Sequence, residues 1–274
     1  MIKKLTLSAV AFSLITIANT QTSAEGYLNE YYVVFTSVMD AEDDPWKNNP
    51  KCTPIIKATE DKGIWNVQYQ YANGSQLTSE YRSTIKPKAG ECQTFIHLPE
   101  EITGSGTFES YFPNGKQRAR IDYKDGVYNG KMQFWFANGL KEQENTVIDE
   151  VSQGEYKIWH PNGQLGLSMR YKDGVQTGTR QRWYENGEPW TEVRFENDKM
   201  VGPLKQWFRN GKLERLGNYR NGVRHGEYKV WFEEGQPEAV LNYQAGQITT
   251  AQCWNEHGVE ISQQACIQRF KGED

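Results

Sequence analysis

The sequence predicts an all-β fold in which tandem 24-residue β-hairpin repeats form an extended, twisted single-layer antiparallel meander sheet. Two turn signals recur in phase within each unit, and apolar and polar residues alternate between them. A unit this short cannot bury a core alone, so consecutive units must pack side by side. The period itself is marked by glycines 24 residues apart, at Gly106, Gly130, Gly154, Gly178, Gly202 and Gly226.

The two turn signals join strand to strand. An Asn-Gly pair closes the hairpin in the first five units, at 114–115, 138–139, 162–163, 186–187 and 210–211, and Glu234-Gly235 replaces it in the sixth. Both central residues of a two-residue type I′ turn need positive φ, which Asn and Gly tolerate, so we predict type I′ turns here. The second signal, as at Asp125-Gly126, joins one hairpin to the next. A continuous meander follows.

Strand alternation assigns the side chains to two faces. With the leading glycine as position 0, positions 2, 4, 6, 11, 13, 15 and 17 share a mostly apolar face, as Phe108, Leu165, Leu167 and Leu213 illustrate. A two-residue turn pairs position 6 with 11, 4 with 13 and 2 with 15, and places Trp183 across from Trp190. The opposite face is polar except for a predicted aromatic ladder at position 5, formed by Tyr111, Trp135, Trp159, Trp183, Trp207 and Trp231.

The chain divides into four predicted segments: a signal peptide at 1–24, a diverged N-terminal β cap at 25–105, six repeats at 106–249 and a C-terminal cap at 250–274. Lys3 and Lys4 precede an apolar run at 5–18, and small residues favour cleavage near Ala24. A retained membrane helix is the alternative, although the run is short and no stop-transfer charges follow it. We therefore expect a periplasmic or secreted protein whose sheet edges are closed by caps.

The net charge bears on the classes of binding partner, and the cysteines bear on disulfide bonding. Cleavage after residue 24 removes two lysines and changes the formal charge from −4 to −6. This surface predicts neither nucleic-acid binding nor, after cleavage, membrane insertion. In an oxidising compartment the four cysteines favour local disulfides, Cys52–Cys92 and Cys253–Cys266, because the array holds the two pairs apart. Free thiols or a metal site are the alternatives, and a metal site would need closer ligand spacing.

The recurring pattern G-x-x-x-x-W-[FY]-x-N-G-x-L, followed by Tyr and Gly, resembles the MORN-variant repeat of bacterial proteins over about residues 104–260. The units at Gly154, Gly178 and later match well. The units at Gly106 and Gly130 match partly, and the Gly130 unit has Val147 and Glu150 in place of the return-strand Tyr and the turn Gly. The resemblance implies the hairpin-sheet fold. Through the YwqK-like antitoxin family it also implies a toxin-neutralising role with a cytoplasmic partner.

Motifs of catalysis are missing from the sequence. The glycines are spaced for turns and none opens a phosphate-binding helix, and GxSxG, HExxH and CxxC are absent. His97, His160, His225 and His257 occupy unrelated repeat positions. His160 replaces the aromatic residue of position 6, which favours a partly buried ring over a metal ligand. We predict a non-enzyme with no catalytic residue, no cofactor and no metal site.

One irregularity suggests a binding patch. Arg180 and Arg182 occupy positions 2 and 4 of the fourth unit, on the apolar face, and Arg215 lies three strands further on the same face. They could bind an acidic or aromatic partner, or simply lay their stems over apolar neighbours. The candidate partner-binding residues are Arg180, Arg182, Arg215, Trp183, Trp190 and Trp207.

Three functions follow from these observations. The main prediction is an exported, non-catalytic protein-binding or scaffolding module that presents an extended sheet surface. The first alternative is an antitoxin- or immunity-like neutraliser of a toxin. The second is glycan or peptidoglycan binding through the tryptophan ladder, whose indoles could equally serve only to brace the sheet.

Overall fold

The computed structural model describes residues 51–58, 61, 63–86, 88, 90–91 and 97–271. The predicted signal peptide, residues 25–50 of the predicted N-terminal cap, and Cys92 lie outside these residues. The chain first forms a small antiparallel sheet in the order β4-β1-β2-β3-β5. Its strands are β1 (Lys51–Ala58), β2 (Trp65–Tyr71), β3 (Tyr81–Ser83), β4 (Gly90–Glu91) and β5 (Ile102–Thr103).

The remaining strands form one open, 15-stranded antiparallel sheet in which sequence neighbours pair. This confirms the predicted fold class. A short helix, α1 (Gln263–Phe270), follows the last strand. The strands are β6 (Gly106–Tyr111), β7 (Gln117–Lys124), β8 (Val127–Trp135), β9 (Lys141–Ile148), β10 (Val151–Trp159), β11 (Leu165–Lys172), β12 (Val175–Trp183), β13 (Pro189–Glu196), β14 (Lys199–Trp207), β15 (Leu213–Arg220), β16 (Val223–Arg224), β17 (Gly226–Trp231), β18 (Pro237–Gln244), β19 (Gln247–Trp254) and β20 (Glu260–Ile261).

The turns between hairpins are two-residue turns with positive φ at both residues. Asp173 and Gly174 have φ of 52° and 79°, and Lys172 pairs with Val175 across them. This backbone is the type I′ turn. Glu150 occupies the second turn position with φ of 66°, where most other units have glycine. A left-handed conformation is unfavourable for a residue with a Cβ atom, so Glu150 introduces local strain.

The turns within hairpins differ from the prediction. The Gly163 amide donates to the His160 carbonyl at 2.8 Å, and the His160 amide donates to the Gln164 carbonyl at 2.8 Å. Gly163 has φ of 87°, whereas Asn162 does not have positive φ. This is a three-residue loop in which a type I turn is followed by a left-handed glycine. The predicted type I′ turn at Asn-Gly is therefore wrong.

The side chain of the asparagine explains why this residue recurs in each such turn. Asn162 Oδ1 accepts from the Gln164 amide at 3.0 Å, while Nδ2 donates to the Glu185 carbonyl in the next repeat at 2.6 Å. One bond fixes its own turn and the other holds the following turn. We call this row the asparagine ladder; both bonds recur at Asn114, Asn138, Asn186 and Asn210.

The longer loop changes the strand register near the turn. Ile158 pairs with Leu167 and Tyr156 with Met169, which confirms the pairing of position 4 with 13 and of 2 with 15. Trp159 pairs with Leu165, so position 5, and not 6, meets position 11. The residue at position 12 is extra, which makes a β-bulge.

This bulge corrects two side-chain placements. Leu165 and Leu213 lie beside Trp159 and Trp207 on the opposite face from that predicted, because position 11 pairs with position 5. Likewise Trp183 pairs with Pro189 and not with Trp190, which is the extra residue of its strand. The predicted cross-strand pair of indoles is therefore wrong.

The core consists of two separate clusters. In the first, Val67 and Leu77 of the N-terminal segment pack with Phe108 and Ile121 of the main sheet. In the second, Leu241 and its neighbours on strands β13 to β19 pack with Phe270 of α1. A disulfide joins Cys253 to Cys266 and fixes α1 to the sheet, as predicted. Cys52 is buried in the first cluster, and Cys92 lies outside the described residues.

The N-terminal hairpin imitates a repeat and covers the first edge of the main sheet. The Gly74 amide donates to the Tyr71 carbonyl at 2.9 Å, as in the repeat turns. The Tyr111 amide of β6 donates to the Leu77 carbonyl, and the Ser79 amide donates to the Glu109 carbonyl, both at 2.8 Å. These bonds satisfy part of an edge that would otherwise be open to pairing.

Replacing Asn162 with alanine removes both ladder bonds of one turn. We expect Asn162→Ala to lower the free energy of unfolding by about 1–2 kcal/mol, because each net hydrogen bond contributes about 1 kcal/mol. Urea unfolding followed by circular dichroism measures this. Glu185→Ala keeps the accepting carbonyl and should leave stability nearly unchanged. Equal losses in both variants would contradict a side-chain ladder.

Replacing Glu150 with glycine relieves the strained turn. Because a left-handed residue with a Cβ costs roughly 1–2 kcal/mol, we expect Glu150→Gly to stabilise the protein by about 1 kcal/mol. The reverse change, Gly174→Ala, should destabilise it, since Gly174 has φ of 79° and a Cβ there would lie 3.2 Å from Val151 Cγ1. A urea midpoint that falls for Glu150→Gly would show that no strain is stored.

Candidate functional site

The main sheet presents two chemically different faces. We call the face with positions 3, 5, 11 and 14 the tryptophan face, and the face with positions 2, 4, 12, 13 and 15 the core face. All six position-5 rings are partly exposed. The core face contributes to both hydrophobic clusters, so the N-terminal segment packs against its first strands and α1 against its last. The tryptophan face contributes no residue to either cluster.

Charges on the tryptophan face are largely paired with one another. Lys141 Nζ lies 2.6 Å from Glu144, and Lys205 Nζ lies 3.3 Å from Glu192. Lys141 also lies 5.4 Å from the centre of the Trp159 ring. Such exposed pairs add little stability, but they leave the indoles in surroundings of low net charge. Further pairs on this face are Arg120–Glu109, Lys157–Glu155 and Lys229–Glu227.

The position-5 rings form a row without stacking on one another. Successive members lie two strands apart, which is about 9.6 Å at the usual strand spacing of about 4.8 Å. Aromatic rings interact at centroid distances of roughly 4.5–7 Å, so an intervening strand separates each pair. The predicted ladder therefore lies on one face, but as isolated rings at a regular interval.

The three candidate arginines lie on the core face. Arg182 and Arg215 fall in one cross-strand row through Thr191 and Gln206, three strands apart as predicted. Arg182 is only 6% exposed, and its guanidinium lies 5.5 Å from the centre of the Trp190 ring. Burial of this side chain favours a packing role, because a partner could not reach it without rearrangement.

The neighbouring arginines are also held by the protein itself. The Arg180 guanidinium lies 4.5 Å from the Phe195 ring centre, and Arg215 Nε lies 3.3 Å from Glu214 Oε1. The sheet thus places Arg180, Arg182, Arg215 and Trp190 on the core face, whereas Trp183 and Trp207 belong to the tryptophan face. The six candidate residues do not form one site.

Polar rings at position 6 link consecutive repeats, which the sequence reasoning missed. His160 Nε2 lies 2.9 Å from the Trp183 carbonyl, and the Tyr184 hydroxyl donates to the Trp207 carbonyl at 2.8 Å. Tyr71 of the N-terminal hairpin donates to the Tyr111 carbonyl in the same way, at 2.7 Å. His160 is buried, more fully than the partly buried ring that was predicted. A hydroxyl or imidazole where other units have Phe was the available signal.

The residue at position 12 packs against the position-6 ring on the core face. The Trp190 ring stacks on Tyr184, with centroids 5.5 Å apart and planes at 27°. Burial raises the pKa of Tyr184 to about 12. In the fourth unit the bulged residue and the position-6 ring therefore form one packed pair, whose tyrosine hydroxyl binds the Trp207 carbonyl of the next repeat.

Two further kinds of site were considered for the described residues: a metal site and a membrane-spanning helix. Among the described residues, no group of three or more His, Cys, Asp or Glu side chains is placed to hold a metal ion. In that same part of the chain, no helix has the length and apolar character needed to cross a membrane.

Comparison with known families identifies the repeats. The family described as MORN repeat variant matches five segments, at residues 105–125, 152–173, 176–197, 200–221 and 224–245. The chain is a MORN-variant repeat protein. The MORN unit led by Gly130, which has Val147 and Glu150 in place of Tyr and Gly, is not among the matched segments. No curated protein matches the chain. MORN repeats generally form non-catalytic binding modules, which agrees with a sheet of this kind.

The Tyr184 bond predicts a pH-dependent stability difference. We expect Tyr184→Phe to lose about 1 kcal/mol near pH 7, the net value of one hydrogen bond. Because the folded-state pKa lies above the unfolded value of about 10, the tyrosine's contribution is complete below pH 10 and is lost as pH rises towards 12. The deficit of the variant should therefore shrink between pH 10 and pH 12 in urea unfolding. A constant deficit would exclude this interaction.

Proposed function

We propose that this protein is an exported, non-catalytic module that binds a protein partner on the tryptophan face of its MORN sheet. The observation that carries the proposal is the row of partly exposed aromatic rings that recurs at position 5 of every repeat. Tryptophan and tyrosine supply large contact areas at low entropic cost and dominate binding energy at many interfaces.

The arrangement of the two faces supports this choice of surface. The core face packs with the N-terminal segment at one end and with α1 at the other, and its central arginines contact its own aromatic rings. The tryptophan face presents rings and paired charges along the array. A regular sheet of this length offers area and repetition to a partner in place of a pocket.

Export rests on the sequence and on the cysteines. The first 24 residues have the charge, apolar run and small-residue site of a signal peptide. The Cys253–Cys266 disulfide fits an oxidising compartment such as a periplasm or the exterior. N-terminal sequencing of the protein recovered from cells tests this; a chain that still begins at Met1 would contradict export.

Two other roles would use the same surface. An immunity-like neutraliser is a binding module whose partner is a toxin, and an exported chain could act in this way outside the cytoplasm. A glycan binder would stack sugar rings on the position-5 indoles. Identification of the bound molecule separates the three roles.

Site-specific photo-crosslinking tests which face binds. Thr179 is an exposed position-1 residue on the same side of β12 as Trp183, and so on the tryptophan face. A benzophenone amino acid there should yield an adduct with a defined envelope or secreted protein. The matched probe at Tyr156, on the core face, should not. Replacing Trp183 and Trp207 with alanine should reduce the Thr179 adduct about tenfold or more, as expected for interface hot spots. Adducts from Tyr156 alone would show that the partner binds the core face. A toxin in the Thr179 adduct would support the neutraliser role, and a glycan in it would support glycan binding.

A further inference from the structure

We infer that the tryptophan face recognises a polyproline II segment of its partner, with one turn of that helix on each repeat. The inference rests on the proposed function and specifies the chemistry of the partner. Its basis is the interval between the position-5 rings, together with the charge and the apolar neighbours of those rings.

Pairing registers place the rings on one line across the strands. Trp159 pairs with Leu165 in its own hairpin, and Leu167 pairs with Arg182, the residue before Trp183, in the next. Each repeat thus advances the ring by two strands, or about 9.6 Å at the usual spacing of about 4.8 Å. A ligand that contacts every ring must run along the array, perpendicular to the strands, and must itself repeat near this distance.

Polyproline II meets this requirement better than the other regular backbones. Its three residues per turn rise about 9.3 Å, so the mismatch over the four intervals from Trp135 to Trp231 totals roughly 1.2 Å. Two turns of α-helix rise about 10.8 Å and would drift by roughly 5 Å over the same intervals. Three residues of a β-strand rise about 10 Å but reverse the facing side chain at each step.

The chemistry of the face also favours an uncharged, apolar strand. Lys141 and Lys205 are each paired with a carboxylate of the same face. Because these charges cancel, a ligand that complements the face is close to neutral. Beside four of the five position-5 indoles, position 11 provides an apolar residue: Leu165 next to Trp159, Pro189 next to Trp183, Leu213 next to Trp207 and Pro237 next to Trp231. Proline rings pack on such surfaces, and polyproline II carbonyls, which have no internal hydrogen bonds, can accept from indole N–H groups.

The experiment measures binding of oligoprolines of 6, 9, 12 and 15 residues to the full mature chain by fluorescence anisotropy, with Gly-Ser peptides of the same lengths as controls. We expect oligoproline to bind, and affinity to rise severalfold with each three added residues as another ring is engaged. Gly-Ser peptides should bind at least tenfold more weakly. Equal binding of the two peptide types, or affinity independent of length, would overturn the inference.

Variants assign the binding to the face. Trp183→Ala with Trp207→Ala should weaken oligoproline binding at least tenfold, as expected for hot-spot aromatics. Pro189→Lys provides a version that should still fold, because Lys141 occupies the same repeat position in the second unit, and it should weaken binding severalfold. Leu140→Ala, at an exposed turn residue, should not change it. Oligoproline binding that survives both tryptophan-face changes contradicts the inference.

Two outcomes separate this inference from the proposed function. A native partner crosslinked through Thr179 that lacks any proline-rich segment would overturn the polyproline II assignment and leave the protein-binding function standing. Neutral oligosaccharides that bind the face and are lost with Trp183 and Trp207, while oligoproline fails to bind, would replace both with glycan recognition. Binding of oligoproline together with a proline-rich crosslinked partner would support both.

Discussion

The main sheet depends on the constraint that every 24-residue repeat must return to the same backbone register. The three-residue loop, the bulged residue at position 12 and the two-residue turn together set how far each strand is displaced against the next. Because the displacement is the same in each unit, position 5 always falls on the same face and on the same line. A single-residue error in one loop would transfer the following rings to the core face.

Contacts between neighbouring repeats replace a continuous core. In the main sheet the hydrophobic clusters involve strands β6 to β8 and β13 to β19, and between them β12 carries the buried Arg182. There the repeats are connected by side chains that reach backbone carbonyls of the next unit, namely the asparagine ladder and the rings of His160 and Tyr184. Stability in such an array is a sum of nearest-neighbour terms, so each link acts locally.

Sequence reasoning succeeded where a feature depends on local periodicity and failed where it depends on the neighbouring repeat. The period, the open meander, the row of position-5 rings and the Cys253–Cys266 bond follow from spacing alone. The Asn-Gly turn was mispredicted because Asn-Gly suits two loop types, and the asparagine side chain is held partly by a carbonyl 23 residues away, which local sequence does not reveal. Leu165, Leu213 and Trp190 were misplaced as a consequence. The burial of Arg182 under Trp190 could not be predicted without that bulge.

The division of roles between the faces follows from these same contacts. On the core face, a bulged residue such as Trp190 packs against both Tyr184 and Arg182, so aromatic and charged groups there are used within the protein. On the tryptophan face, lysines close on carboxylates of that face, while the indoles stand about two strands apart, too far to satisfy one another. Rings that brace the sheet would gain more from contact with each other. Their even separation is what an extended ligand requires, since each repeat can then add one weak, equivalent contact and affinity can accumulate along the array.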